Sequence, residues 1–383
     1  MASFKKKIIN ALLTLLLLIL LFVTFLITPW GRPVLKTLLL VPEVVPNFPI
    51  RPLKFFSREP TIEEITLKVG DKDIKADLYK PNDNKKHPAV VFTLGTIVTR
   101  KDEAVTKFAQ SLSRSGFIVL VPDLPDFLSG FVWTDSVETL TSSVEFLDKQ
   151  PFVNRQKIGF AGFCVGASAS IIAAEDSAIA DKVSFISAIS PYFDMRAGSE
   201  AVVTGHAKNS NGDLVVWQPA QISKDAVVRG FVNAVGDENE RILLRTRFLE
   251  DKALTVEQIN GFSQGALSIY NFLGNTDPAK SDEVWDGMPG DYKDIISELS
   301  PSTKINNLKA KIFVLNDKKD TFVPKIEGEK LAKSLPKDRI DFIEVDSFEH
   351  VNPSTKLQRW AAVKGLFQLG VYLYKVLSAA KIG

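Results

Sequence analysis

"KIGFAGFCVGASAS", residues 157–170, decides how the rest of the chain is read. An apolar run reaches Gly162, Cys164 follows Phe163, and a run of small residues begins at Gly166. The pattern predicts a buried strand over 157–163, a helix over 165–176 and a sharp turn between them. Gly162 and Gly166 stand two residues either side of Cys164. A strand-to-helix turn that tight crowds the neighbouring backbone, so small residues are needed there, and the residue at its apex is held out at the sheet edge. Cys164 is the only cysteine in 383 residues. A lone cysteine is often a small buried hydrophobe. At this apex it is a candidate nucleophile, and the helix N-terminus behind it favours thiolate over thiol.

Outward from this turn, strands and helices alternate. Residues 64–80 read as an antiparallel hairpin around "GDKD". Buried strands follow at 87–95, 117–124 and 182–190, with helices at 102–116 and 136–150 between them. The alternation pauses over 195–300, where the segments are mainly helical in pattern. It resumes with strands at 310–317 and 339–345, a helix at 325–335 and a long helix over 355–379. Such alternation implies a mainly parallel sheet covered by helices on both faces. The expected division is a core of 61–194 and 301–383, with 195–300 inserted as a helical cap.

Ligands and catalytic groups in open parallel sheets gather at the carboxyl ends of the strands. Asp320, in "VLNDKKDTFVP", and His350, in "EVDSFEHVNP", each stand just past a late strand. The order Cys164, Asp320, His350 is nucleophile, acid, histidine. His350 would take the thiol proton or pair with the thiolate, and Asp320 would fix its tautomer. Asp317 could cap the loop instead, and Asp194, in "SPYFDM", is the alternative acid. An oxyanion hole needs backbone N–H groups where negative charge develops. Val165, directly after the nucleophile, supplies one, and Thr96, beside Gly95 in "TLGTIVTR", supplies the other, with Ile97 next in line. The remaining histidines, His87 and His206, read as an edge residue and a solvent-exposed cap residue. The aromatic residues of the insertion, Trp217, Phe231, Phe262, Tyr270, Phe272 and Trp285, read either as a pocket lining or as the cap's own core.

On these residues the chain resembles the α/β-hydrolase superfamily and, within it, the dienelactone hydrolase family. "ADLYKPNDNKKHPAVVFTLG" is similar to that family's entry into the sheet, "KIGFAGFCVGA" to its cysteine elbow, and "DKKDTFVP" with "EH" to its acid and histidine turns. The resemblance covers 62–194 and 300–375. It implies hydrolysis of an ester or lactone, or of a thioester, without a cofactor, with Cys164, Asp320 and His350 in the family's roles. The chain departs from the family at Ala167, where a further glycine is usual, and at Leu94-Gly95, where a histidine–acid or histidine–glycine pair is usual. A second resemblance, to polyhydroxyalkanoate synthases, rests on the G-x-C-x-G elbow and the insertion before the acid, and implies acyl transfer. The departures at Ala167 and in the Leu94-Gly95 loop also suit a third reading, an inactive fold that binds a lipid or a partner.

Residues 8–28 carry no charge. At about 1.5 Å per residue such a run spans a hydrocarbon core of roughly 30 Å. Trp30 follows as an interfacial anchor. No small-x-small cleavage pattern follows, so 1–30 reads as an uncleaved transmembrane anchor rather than a signal peptide. Lys5, Lys6 and Lys7 favour a cytoplasmic N-terminus and an extracytoplasmic domain, while Arg32 and Lys36 oppose that bias. Residues 31–60 are proline-rich and predict no long periodic element: a connector lying along the lipid, or an ordered extension packed on the domain. Lys+Arg 47 against Asp+Glu 45 gives +2, which excludes a strong nucleic-acid footprint. One cysteine and three histidines without a ligand spacing give no metal motif. The expected partners are a small-molecule acyl substrate, lipid-derived among the options, and the membrane.

Overall fold

The computed structural model describes residues 2–26, 28, 30–45, 48–346, 348–349, 352–353 and 359–382. It opens with helices α1 (Ala2–Leu26) and α2 (Gly31–Val44). Among the described residues no single helix is long and apolar enough to cross a membrane; Leu12–Leu26 and Gly31–Val44, bent by 95° to each other, reach that length and hydropathy only when taken together. The absence of a periodic element over 31–60 is corrected by α2. Pro33 lies in its first turn, where an N–H has no intrahelical acceptor anyway, and Pro42 lies near its end. The stretch between them, "VLKTLLLV", is free of breakers. A short helix, α3 (Leu53–Phe56), follows. Arg51 Nη1 donates to the carbonyls of Pro42 and Glu43 at 2.5 and 2.6 Å, and the Leu53 N–H donates to Glu43 Oε1 at 2.9 Å. These bonds fold the α2–α3 corner back on the end of α2.

A main sheet of eight strands follows: β1 (Thr61–Val69), β2 (Lys72–Lys80), β3 (His87–Thr93), β4 (Ile118–Pro122), β5 (Val153–Phe163), β6 (Val183–Ile189), β7 (Lys311–Asp317) and β8 (Ile340–Val345). Their spatial order is β1-β2-β4-β3-β5-β6-β7-β8. β2 runs antiparallel to both its neighbours and the other pairs are parallel. This is the α/β-hydrolase fold.

The period-two alternation of the strands builds two cores. Ala89 and Val91 of β3 face one layer, with α5 (Thr134–Asp148) and α6 (Val165–Ala174) behind them. Val90 and Phe92 face the other, formed by α4 (Glu103–Ser115), the last long helix (Arg359–Ala379) and α2. The last helix buries Leu369, Tyr372, Leu373, Val376 and Leu377, each contributing about 1.5–3 kcal/mol where an apolar side chain leaves water completely. Leu40 of α2 is fully buried in this second core. The ordered-extension reading therefore describes α2.

After β6 come α7 (Met195–Thr204) and the cap helices α8 (Gln221–Asn233), α9 (Glu238–Phe248) and α10 (Gln264–Leu273). The cap has its own aromatic core: Phe231 stacks on Phe272 at 4.5 Å, Phe272 meets Trp285 at 6.0 Å, and Phe262 meets Tyr270 at 5.9 Å.

Candidate active site

Cys164 sits between β5 and α6 with φ +54° and ψ −133°, a conformation that non-glycine residues rarely adopt and that persists only when the surroundings over-determine it. The two glycines show how. A Cβ on Gly166 would stand 2.3 Å from the Leu94 carbonyl oxygen, and one on Gly162 would stand 2.5 Å from Ala167 Cα. Backbone therefore approaches backbone on both sides of the cysteine, as the sequence pattern requires. The Cys164 N–H donates to the Ile189 carbonyl at 2.8 Å, fixing the turn to the end of β6. Ala167 is fully buried, so its methyl group is accommodated on the side of the helix away from solvent. Ser168 is a helix residue, its hydroxyl donating to the Tyr192 carbonyl at 2.8 Å.

The loop after β3 faces the elbow. A Cβ on Gly95 would meet Cys164 Cβ at 3.8 Å, ordinary contact. Thr96 is buried. Ile97, the second candidate donor, has φ +60° and spends its N–H on the Phe127 carbonyl at 2.7 Å. Of the two, Thr96 is the one compatible with an oxyanion role. The loop is held by Arg100, whose guanidinium donates to Asp77 at 2.5 Å, Asp123 at 3.0 Å and Glu64 at 3.0 Å. Arg100 lowers the Glu64 pKa, first through its hydrogen bond and then through its charge. No motif in the sequence announced this cluster.

Asp320 lies just past β7 and is 3 % exposed. Its Oδ1 accepts from the Phe322 and Val323 N–H groups at 2.7 and 3.0 Å. Its carbonyl accepts from Trp217 Nε1 at 2.7 Å. The Ala220 N–H donates to the Thr321 carbonyl at 2.7 Å, and Ser223 Oγ donates to the Phe322 carbonyl at 2.9 Å. The start of the insertion is thus fastened to the Asp320 loop, a coupling invisible in the sequence because its two sides lie about a hundred residues apart. Asp317 ends β7 and accepts from the Lys319 N–H at 2.9 Å. Asp194 caps α7, accepting from the Ala197 N–H at 3.0 Å. His350 lies outside the described residues.

The other histidines stand elsewhere. His87 begins β3, at the opposite end of that strand from Gly95, and contacts the Gly116 carbonyl at 3.0 Å and Asp83 at 2.7 Å. His206 is half-buried rather than solvent-exposed, because its ring packs back on the Thr204 carbonyl at 2.8 Å and its strand pairs with Leu214–Val216. Among the described residues no cluster of three or more histidine, cysteine or acidic groups is placed to hold a metal ion.

A cavity of about 680 Å³ unites the elbow and the loops, within the roughly 300–1,000 Å³ usual for small-molecule sites. Cys164, Val165, Gly95 and Thr96 line it, as do Phe322 and Val323 after the acid. Tyr192 also borders it; burial holds its phenol far above the usual range, and its hydroxyl donates to the Leu299 carbonyl at 2.9 Å. Of the six cap aromatics only Phe231 reaches the cavity wall; the others serve the cap's own packing or, for Trp217, the acid loop. Glu43, Val44 and Arg51 of the α2–α3 corner line the same cavity, a contribution that the proline-rich sequence did not suggest.

No family model matches the chain, and no curated protein matches it. Solved structures do resemble it. Pyrococcus horikoshii acylaminoacyl peptidase is 14 % identical with a TM-score of 0.45, covering 75 % of this chain and 37 % of the peptidase. A 2,6-dihydroxy-pseudo-oxynicotine hydrolase is 12 % identical with a TM-score of 0.46, covering 83 % of this chain and 68 % of its own. An esterase from Pyrobaculum calidifontis is 16 % identical with a TM-score of 0.44, covering 90 % of each. The chain thus spans little more than a third of the peptidase's length. At such identities and scores these likenesses assign neither activity nor substrate. The fold rests on the strand order, the antiparallel second strand and the strained turn after β5.

Proposed function

We propose that the protein is a membrane-attached hydrolase that cleaves an ester, lactone or thioester through Cys164. The observation that carries this reading is the strained elbow: Cys164 holds a positive φ on the wall of a cavity also lined by Val165 and Thr96. In the proposed reaction Cys164 Sγ, its proton passed to His350, attacks the acyl carbonyl carbon. The S–C bond forms, the bond to the leaving alkoxide or thiolate breaks, and His350 returns the proton to the leaving group. A water molecule then gives its proton to His350 and attacks the thioester. The new C–O bond releases the carboxylic acid as the S–C bond breaks and the cysteine regains its proton. Asp320, already fixed by two backbone donors, would orient His350 and stabilise its imidazolium. The Val165 and Thr96 N–H groups would receive the developing oxyanion. Lys5, Lys6 and Lys7 and the uncharged run that follows them in α1 support attachment to a membrane with the N-terminus in the cytoplasm. The dienelactone-type elbow supports the thiol nucleophile.

Turnover of a p-nitrophenyl ester by the wild type, Cys164→Ala and His350→Ala tests the reading. Both variants are expected to lose activity by about a thousandfold or more. Full activity in either would overturn it. Supplying an alcohol acceptor separates hydrolysis from transfer: free acid alone supports hydrolysis, and acylated alcohol as the main product would replace it with acyl transfer.

A further inference from the structure

The cavity continues beyond the catalytic groups to the N-terminal segment. From Cys164 its wall passes along an aromatic cluster. Phe163 meets Phe92 and Phe108 edge-on at 5.8 and 5.4 Å, and Phe92 stacks on Phe108 at 5.0 Å. Phe108 belongs to α4, against which α2 packs, and Val44 at the end of α2 completes this part of the wall. The corner is held in place by the Arg51 and Glu43 bonds described above. Phe92, Phe108, Phe163 and Val44 make this part of the wall mainly apolar, while the charged Glu43, Arg51, Glu103 and Lys107 line the same cavity; the apolar side chains suit burial of a hydrocarbon chain and the charged ones a polar headgroup.

The outer surface of the same corner is apolar too. Ile50, Phe55 and Phe56 are 60, 80 and 74 % exposed, and Leu38 of α2 and Phe367 of the last helix are 55 and 72 % exposed. The last helix packs on α2. Among the described residues, most of the exposed large apolar side chains fall within the first 56 residues. Large exposed apolar patches mark membrane or protein contacts. Continuity with the apolar helix α1, and the exposed basic residues Lys54 and Arg58 beside the aromatic pair, match a lipid interface.

Resting on the hydrolase reading, we propose that the substrate is a long-chain acyl lipid of the bilayer, whose acyl chain enters the cavity past the α2–α3 corner and lies along the Phe163–Phe108 wall. The corner thus serves both as the lipid-facing surface and as one side of the entrance.

The test uses the full chain and its single cysteine. Iodoacetamide alkylation of Cys164 is followed in the presence of palmitate or of butyrate. Palmitate at micromolar concentration is expected to slow alkylation at least about tenfold, with butyrate at the same concentration without effect. Absence of palmitate protection, or equal protection by butyrate, would overturn the proposal. This readout needs no turnover, so it stands even if the hydrolase reading fails. A second arm compares a palmitoyl ester presented in phosphatidylcholine vesicles with the same ester carried by albumin. Preference for the vesicle-borne ester supports entry from the bilayer, and preference for the albumin-borne ester overturns it. In Val44→Trp, checked for folding by circular dichroism, the palmitoyl-to-butyryl ratio of kcat/KM is expected to fall about tenfold or more. An unchanged ratio in the folded variant would remove the corner from the entrance.

Discussion

Two loops meet across Cys164, and they are held in opposite ways. The elbow is fixed by exclusion: Gly166 lies against the Leu94 backbone and Gly162 against Ala167, with no room for one further carbon. The loop after β3 is fixed by charge, through Arg100 and the carboxylates of Glu64, Asp77 and Asp123. Close packing responds to a single added atom, whereas an ion network responds to the charge removed from it. The proposed nucleophile is therefore set by shape and the proposed oxyanion donor by electrostatics, and substitutions on the two sides should fail differently.

The sharpest contrast comes from Gly166→Val. Its new Cβ would meet backbone, which cannot rotate away, so stability should fall by about 3 kcal/mol or more and activity should be lost with it. A thermal midpoint equal to that of the wild type would break the steric half of the contrast. Arg100→Met should cost catalysis and folding by comparable amounts. Asp77 is buried but keeps Lys101 at 2.8 Å, so the loss of stability is expected at about 2 kcal/mol. A loosened Thr96 should lower kcat by about tenfold to a hundredfold with a smaller change in KM. Arg100→Lys should recover part of the charge but not the three-way fork. If kcat in Arg100→Met matched the wild type, the loop would not depend on its charges.

At the far end of the elbow helix, Glu175 tests whether the shape-set side has any dependence on pH. Burial raises its carboxyl from the ordinary value near 4.5 to about 9. Between those values the folded chain holds a proton that the unfolded chain releases, so stability falls as pH rises and levels off above the upper value. Glu175→Gln removes that slope. Its gain in thermal midpoint should be small in acid, grow through neutrality and be largest near pH 9; a gain independent of pH would contradict this. The smallest expected effect is that of Trp217→Phe. It deletes one hydrogen bond to the Asp320 carbonyl, worth about 1 kcal/mol, and should show as a modest drop in thermal midpoint.

The parts held by shape are also the parts that the sequence exposes most clearly. Buried parallel strands leave continuous apolar runs, and the elbow leaves two glycines because nothing larger fits beside Leu94 and Ala167. The succession of strands and the turn at Cys164 were therefore legible, while the spatial order of the strands was not. Arg100 was not, since its partners lie 23 to 36 residues away in the chain and no local pattern links them. The helix α2 was hidden by Pro33 and Pro42, which suggest an interruption yet occupy its first turn and its end. Its share of the cavity depends on packing against α4 and the last helix, which periodicity cannot report. Trp217 read as a cap aromatic, and only the folded chain brings its indole to the acid loop.

The account stands or falls on the thiol of Cys164. Mass spectrometry of the wild type, quenched during turnover of an activated acyl ester and digested, tests it most directly. The account predicts the acyl mass on the peptide containing Cys164 and its absence in Cys164→Ala. An acyl group on another residue, or undiminished turnover without any acyl-cysteine, would contradict it.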